Sequence, residues 1–146
     1  MSKTYIFDVD GTLTPSRQTM TEDFSKFFDK WSKKNTYWLV SGSDLKKMQE
    51  QIPIAYLDRA EGLFCCGANE LYQNGNLMYE KSFNVPKPVV EFLLSQVSLT
   101  AYPYDRAKNN IENRKNMLNF SVIGRDCTQE QRDSYYHWDM EHKERF

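Results

Sequence analysis

The chain has 146 residues, enough for one ordinary domain with its own hydrophobic core. Hydrophobic residues make up 40% of it and charged residues 27%, which is close to the average for soluble globular proteins. The net charge of −1 gives no reason to expect nucleic acid or an anionic membrane as a partner, and no apolar run is long enough to span a membrane.

The first part of the chain predicts alternating strands and helices. Residues 4–7 read as a buried strand that ends at Asp8, and a helix follows in which Thr19 and Glu22 have the spacing of a capping box. Aromatic residues recur in this helix with a period typical of one helical face: Phe24, Phe27, Phe28 and Trp31. Residues 36–40 (TYWLV) are a second short apolar run of strand-forming residues.

A second helix and a third strand follow. The helix begins at the polar segment SGSD (41–44) and carries Leu45, Met48 and Ile52 on one face. Residues 62–67 (GLFCCG) read as the third strand. The order strand, helix, strand, helix, strand is typical of crossover connections, so we expect an α/β fold whose core is a parallel sheet of three strands.

The pattern then changes to one typical of antiparallel structure. Asn74-Gly75 lies between two apolar segments and is the strongest short signal for a hairpin. Pro86 and Pro88 introduce a predicted helix, and residues 109–124 read as two strands around a turn near Lys115-Asn116. We therefore expect a second, α+β module with an antiparallel sheet, and we place the boundary between residues 1–82 and 83–146.

The last predicted element is a helix that closes the chain. Thr128 and Gln131 have capping-box spacing at its start. The predicted helix runs to Phe146 without a glycine or another signal for a helix end.

Cysteine usage and the N-terminus indicate a compartment. The three cysteines, two of them adjacent at Cys65-Cys66, make no disulfide framework, and the spacing of a structural zinc site is absent. The N-terminus has no basic-then-apolar secretory pattern. We expect a soluble protein of the reducing cytoplasm.

Two carboxylates stand out at the end of the first predicted strand, in the stretch YIFDVDGTLT. Side chains two residues apart in an extended segment point the same way, so Asp8 and Asp10 can address one site. In a parallel sheet this end of the strands is where ligands bind. Ser41, Gly42 and Ser43 follow the next strand and lead into a helix start that suits an anion.

These residue types point to phosphoryl transfer. Two carboxylates opposite a segment that suits phosphate imply a bridging cation, because all of these groups are negatively charged. Ligands that are all oxygen favour Mg²⁺. One carboxylate could attack phosphorus while the other handles the proton on the entering or leaving oxygen. A plain Asp and Gly turn is the alternative for this motif taken alone.

Three segments carry a resemblance to a known family. DVDGTLT resembles the first motif, DxDGT(L/V), of the haloacid-dehalogenase-like phosphotransferase superfamily. FDVDGTLTPSRQ, VSGSDLKKMQEQI and NMLNFSVIGRDCTQEQR are similar, in that order, to segments of the eukaryotic-type phosphomannomutases. The resemblance implies a haloacid-dehalogenase-like Rossmannoid core in residues 1–82 and the first part of an α+β cap in 83–146. It ends within the cap, so the return of the chain to the core, with a lysine and further acidic metal ligands, is expected to be absent.

The resemblance also implies roles at the matching positions. Asp8 would be the nucleophile and a Mg²⁺ ligand, and Asp10 the general acid/base and a second metal contact. Ser41, Gly42 and Ser43 would bind the transferring phosphoryl group.

Four arginines match positions that contact the substrate in the resembled family. Arg17 would lie at the mouth of the core, and Arg114, Arg125 and Arg132 would hold the distal phosphate from the cap. Planar guanidinium groups suit such a task because they bind phosphate through two N–H groups at once. For Arg132, which lies among acidic residues on a predicted helix, a solvated charged face is the alternative.

The implied reaction is the Mg²⁺-dependent interconversion of mannose 6-phosphate and mannose 1-phosphate through an aspartyl-phosphate, with a hexose bisphosphate as activator. The resemblance further implies a homodimer formed through the cap, and a role in mannose metabolism and GDP-mannose biosynthesis. Two alternatives stay open: a sugar-phosphate phosphatase of the same superfamily, and a non-catalytic or partner-dependent truncated domain. Nothing in the sequence assigns a residue to reading which sugar is bound.

Overall fold

The computed structural model describes residues 3–114 and 116–144, and it divides into two compact units, Met1–Ser82 and Phe83–Phe146. The first unit contains five strands and three helices in the part that is described. In chain order they are β1 (Thr4–Asp8), α1 (Glu22–Ser32), β2 (Thr36–Val40), α2 (Leu45–Gln51), α3 (Ile54–Leu57), β3 (Gly62–Cys65), β4 (Glu70–Gln73) and β5 (Asn76–Glu80).

The first unit is built on one mixed sheet with the strand order β1-β2-β3-β4-β5. β1, β2 and β3 are parallel, which confirms the predicted α/β class, whereas β4 and β5 join antiparallel to β3. The three predicted parallel strands are therefore confirmed, but the sheet that contains them has five strands and not three. The predicted hairpin exists, since Asn74 and Gly75 adopt the positive φ angles that a tight two-residue turn requires. It extends the sheet because its first strand, β4, pairs with β3.

The core of this unit lies where α1, β2 and α2 pack together. Phe28 of α1 is buried, and its ring makes edge contacts with Tyr37 of β2 and with Tyr56 at centroid distances of 5.3 and 5.4 Å. Leu39 and Met48 are fully buried beside them. The alternating burial of β2 and the helical spacing of the buried positions thus follow the periods that the sequence shows.

The start of α1 differs from the predicted one. α1 begins at Glu22, and its N-cap residue is Thr21, whose side chain makes no capping hydrogen bond. The predicted capping box of Thr19 with Glu22 is wrong. The backbone N–H of Met20 donates to the carbonyl of Gln51 at 3.0 Å, and this contact holds the segment before α1 in a non-helical course.

The second unit contains two helices and a two-stranded antiparallel sheet among its described residues. These elements are α4 (Lys87–Leu99), β6 (Ile111–Asn113), β7 (Leu118–Phe120) and α5 (Gln129–His142). Its core is small and aromatic, formed by Tyr102, Ile123 and Tyr135. The predicted helix after Pro86 and both predicted strands are present, whereas Lys115 of the predicted turn lies outside the described residues.

The start of α5 is as predicted, and its end is not. The capping box is confirmed: the N–H of Gln131 donates to Thr128 Oγ1 and the N–H of Thr128 donates to Gln131 Oε1. The expected run to Phe146 is wrong, because the helix ends at His142 and Lys143 adopts a left-handed conformation with φ 52°. Within residues 3–114 and 116–144, no helix has the length and apolar character needed to cross a membrane.

Candidate active site

Asp8 is the last residue of β1 and its side chain is exposed. It pairs in register with Val40 at the end of β2, which in turn pairs with Phe64 of β3. The carboxyl ends of the three parallel strands therefore meet at the edge where Asp8 lies. Val9, the next residue, is fully buried and anchors the chain just beyond the carboxylate.

The loop after β1 turns tightly around one carbonyl group. The carbonyl of Val9 accepts hydrogen bonds from the backbone N–H groups of Thr12, Leu13 and Thr14, at 3.0 to 3.2 Å. Gly11 provides the positive φ of 80° at which the chain reverses. Asp10 lies inside this loop, half-buried, and forms an isolated bridge with Thr14.

Asp10 is held through one of its two carboxylate oxygens. Oδ1 accepts a hydrogen bond from the backbone N–H of Arg17 and another from Nε2 of Gln51, both at 2.8 Å. Oδ2 makes no hydrogen bond to any residue that the structure describes. One oxygen thus fixes the orientation of the carboxylate, and the other is left for a metal ion or a proton.

Arg17 contacts Asp10 through its backbone N–H, and its φ of 60° lies in the left-handed region that residues other than glycine rarely adopt. The sequence resemblance had assigned its side chain to the substrate. Sequence reasoning missed this backbone contact, and the substrate contact of the Arg17 side chain stays a prediction.

Gln51 is a site residue that sequence reasoning also missed. Its side chain is 5% exposed, and its Oε1 atom is buried without a hydrogen-bond partner among the described residues. The signal that could have found it is a polar residue on the buried face of α2, three positions after Met48 and next to Ile52.

The segment after β2 is tied together by its own hydrogen bonds. Ser41 is buried, and its Oγ accepts the backbone N–H of Ser43 at 3.0 Å. The carbonyls of Ser41 and Ser43 accept the N–H groups of Gly67 and Cys66, which follow β3. Gly42 is exposed, with no atom within 4 Å of the position a Cβ would take. The predicted phosphoryl-binding residues therefore stand at the same sheet edge as Asp8.

The start of α2 is capped by its own chain. Asp44 accepts the backbone N–H of Lys47 at 2.8 Å. This amide is therefore already occupied, and the negative charge of the cap opposes a second anion at the helix start.

The carboxylates of Asp8 and Asp10 fit a magnesium ion. Within the described ranges, no group of three or more His, Cys, Asp or Glu side chains is close enough to hold a metal ion. Asp8 and Asp10 supply two carboxylates at one strand end. Mg²⁺ is commonly bound by one or two carboxylates together with waters and substrate phosphate oxygens, so this pair fits it.

Two of the predicted cap arginines converge on a carboxylate in the second unit. Glu112 Oε2 accepts hydrogen bonds from Arg114 Nη2 at 3.1 Å and from Arg125 Nε at 3.1 Å, and Arg125 Nη2 lies 3.0 Å away. Partial burial favours a higher pKa for Glu112, but the hydrogen bonds and charges of the two arginines outweigh it and lower the pKa below the usual range. Sequence reasoning missed Glu112, although its position two residues before Arg114 on a strand indicated a shared face.

The third predicted cap arginine, Arg132, lies on α5, where its Nη2 is 3.2 Å from Sγ of Cys127. Arg132 and Arg125 both line a cleft of about 710 Å³ in the second unit, beside Ser121, Tyr136 and Gln96. The structure thus brings Arg125 together with Arg114 at Glu112, and with Arg132 at the cleft. Arg114 is not among the residues that line this cleft.

Comparison with known proteins identifies the family. The family profile described as "Eukaryotic phosphomannomutase" matches residues 24–146. The chain belongs to the eukaryotic phosphomannomutase family. It is 34% identical over 143 residues to a phosphomannomutase of Dendrobium officinale and 36% identical over 146 residues to one of Nicotiana benthamiana. The resemblance described from the sequence motifs is thereby confirmed.

The matches cover nearly all of this chain and little more than half of the relatives. The two phosphomannomutases are matched over 94% of this chain and over 56% and 57% of their own lengths. A solved structure entitled "Crystal structure of trehalose-6-phosphate phosphatase related protein" superposes with a TM-score of 0.48 at 15% identity, covering 94% of this chain and 60% of that one.

Proposed function

We propose that this chain carries the phosphoryl-transfer site and the distal-phosphate arginines of a phosphomannomutase that interconverts mannose 6-phosphate and mannose 1-phosphate. The observation that carries the proposal is the pair formed by Asp8 and Asp10. One carboxylate is exposed at the end of β1, and the other is held through Oδ1 with Oδ2 unbonded among the described residues. This is the arrangement expected of a nucleophile beside an oriented acid/base.

The proposed first step forms an aspartyl-phosphate. A carboxylate oxygen of Asp8 attacks the phosphorus of a hexose bisphosphate, the bond from phosphorus to the sugar oxygen breaks, and Asp10 gives its proton to that oxygen. In the second step the hydroxyl of a hexose monophosphate loses its proton to Asp10 and attacks the phosphoaspartate, which frees Asp8. Bound Mg²⁺, held by Asp8 and Asp10, would supply positive charge against the phosphoryl oxygens.

The second unit supports a mutase over a phosphatase. A mutase has to hold one phosphate while the other end of the sugar reacts, and a phosphatase has no such need. Arg125 and Arg132 line one cleft, and Arg114 is linked to Arg125 through Glu112. We propose that these three arginines hold the distal phosphate and that Arg17 contacts the substrate from the first unit.

We also propose an activator, an oligomeric state and a cellular compartment. A hexose bisphosphate is the expected activator, because the first step needs a phosphoryl donor. A homodimer through the second unit is supported by exposed apolar side chains on α4, among them Val89, Phe92 and Leu99. The free cysteines Cys65, Cys66 and Cys127 suit the reducing cytoplasm.

The test is phosphorus NMR of the purified chain with Mg²⁺, mannose 1-phosphate and a trace of hexose 1,6-bisphosphate. We expect the 6-phosphate to appear, and Asp8→Asn to abolish it, because an amide is a poor nucleophile towards phosphorus. Asp58→Asn, which neutralises an exposed aspartate after α3, is the matched control and should leave turnover unchanged. Inorganic phosphate as the sole product would favour the phosphatase. An unchanged spectrum would show that the chain alone does not turn over.

A further inference from the structure

We infer that Glu112 is a positioning residue, which holds the guanidinium groups of Arg114 and Arg125 together as one anion-binding unit. The inference rests on the proposed role of these arginines in phosphate binding. It concerns Glu112 itself, to which neither the sequence motifs nor the family comparison assigns a task.

The contacts of Glu112 converge on one atom. Its Oε2 accepts Arg114 Nη2 and Arg125 Nε, both at 3.1 Å, and it lies 3.0 Å from Arg125 Nη2. Asn119, its register partner on β7, adds a longer contact from Nδ2 at 3.4 Å. A single oxygen thus contacts two guanidinium groups, one from the residue that follows β6 and one from the segment that follows β7.

Burial explains why the two arginines need this carboxylate. The side chains of Arg114 and Arg125 are only 12% and 18% exposed, so two like charges are largely removed from water. Two such charges repel each other, and a carboxylate placed between them offsets that repulsion. Glu112 is 38% exposed and supplies one negative charge between them.

Backbone hydrogen bonds also position Arg114 and Arg125. The N–H of Arg114 donates to the carbonyl of Met117 across the turn, and the N–H of Arg125 donates to the carbonyl of Asn109, each at 2.9 Å. These bonds position the two main chains, but long arginine side chains retain many rotamers. The carboxylate selects among them, and so it lowers the ordering cost that a bound phosphate would otherwise have to offset.

The contacts of Glu112 leave part of the Arg125 guanidinium group for an anion. Glu112 engages Arg125 through Nε and Nη2 and does not engage Nη1, and Arg125 also lines the cleft of the second unit. If Glu112 instead competed with phosphate for the arginines, its removal would strengthen anion binding. The two roles therefore predict effects of opposite sign.

The experiment measures binding of inorganic phosphate and of mannose 6-phosphate to the full chain by isothermal titration calorimetry. For Glu112→Gln we expect about tenfold weaker binding, the loss typical for one charge-assisted contact. Glu91→Gln is the matched control: it removes the same charge from the same unit, at an exposed pair with Lys87 on α4, and should bind as the unmodified chain does. Glu112→Asp keeps the charge with a shorter reach, and we expect it to bind more tightly than Glu112→Gln.

A second readout separates positioning from general destabilisation. The Nε–H signal of Arg125 in ¹⁵N–¹H NMR should shift in Glu112→Gln and stay in place in Glu91→Gln, while thermal unfolding shows that both variants are folded. Equal or tighter phosphate binding by Glu112→Gln would overturn the inference, and so would absence of phosphate binding by the unmodified chain. Phosphate binding that depends on Glu112 without any mutase turnover would count against turnover by this chain alone and still support the positioning role.

Discussion

Asp10 depends on a residue from another element of the fold. Gln51, at the end of α2, donates from Nε2 to Asp10 Oδ1, and its backbone carbonyl accepts the N–H of Met20. One buried residue thus links α2 both to the loop after β1 and to the segment before α1. This position makes Gln51 a support for the orientation of Asp10, the proposed acid/base carboxylate.

We expect Gln51→Leu to lower the free energy of unfolding by about 1 kcal/mol, because a buried hydrogen bond to a carboxylate is lost. The loss is modest because the other amide atom, Oε1, has no partner in the described structure and its removal costs no hydrogen bond. Urea denaturation measures the change. Gln49→Leu, an exposed glutamine of the same helix, is the control and should change stability little. Equal stability of the two variants would argue against the supporting role.

At the scale of single elements, the two predicted capping boxes had different outcomes. Both have a threonine three residues before a glutamate or glutamine, and the box of Thr128 with Gln131 forms as predicted. The box of Thr19 with Glu22 does not form, since α1 begins later, with Thr21 as its N-cap. The difference lies in Met20, which is buried and bonded to α2, a contact that local spacing does not reveal.

The N-cap threonines of α5 and α1 can be compared by replacing each with alanine. We expect Thr128→Ala to lower the free energy of unfolding by about 1 kcal/mol, because its Oγ1 accepts the N–H of Gln131 at 3.2 Å. Thr21→Ala should cost only a few tenths of that, since the Thr21 side chain makes no capping bond. Denaturant unfolding followed by circular dichroism compares them, and a larger loss for Thr21→Ala would contradict the capping assignment.

At the scale of the whole molecule, the elements differ widely in burial. β2 lies between β1 and β3 and contains Tyr37 and Leu39, both completely buried. α4 contains no buried residue, and several of its apolar side chains are exposed. The first unit therefore has a fully buried interior strand, whereas the second has a small, largely aromatic core and a helix without buried residues.

This contrast predicts a gradient of local stability. Backbone amides of β2 should exchange slowly with deuterated solvent, and those of α4 much faster, because local opening costs least where few apolar contacts are lost. Hydrogen–deuterium exchange followed by mass spectrometry measures both segments in one experiment. If α4 forms the dimer contact proposed above, its protection should rise with protein concentration while that of β2 stays constant. Slow, concentration-independent exchange in α4 would contradict this assignment of stability.

Sequence reasoning correctly predicted the strands and helices that a local period or motif specifies. The apolar runs that become β1 and β2, the hairpin at Asn74-Gly75 and the cap of α5 each depend on a few neighbouring residues. The short helix α3 and the addition of β4 and β5 to the main sheet were missed. Pairing between β3 and β4 depends on register across the sheet, which no local pattern encodes.

By itself the sequence determined the family, the α/β class and the carboxylate pair Asp8 and Asp10, because each depends on contiguous residues. Only the tertiary structure decided which partners hold the site. Gln51 lies 41 residues from Asp10, and Arg125 lies 13 residues from Glu112, separations that have no periodic signature. Such contacts form when separate elements pack together, so their geometry is a property of the fold and not of any one segment.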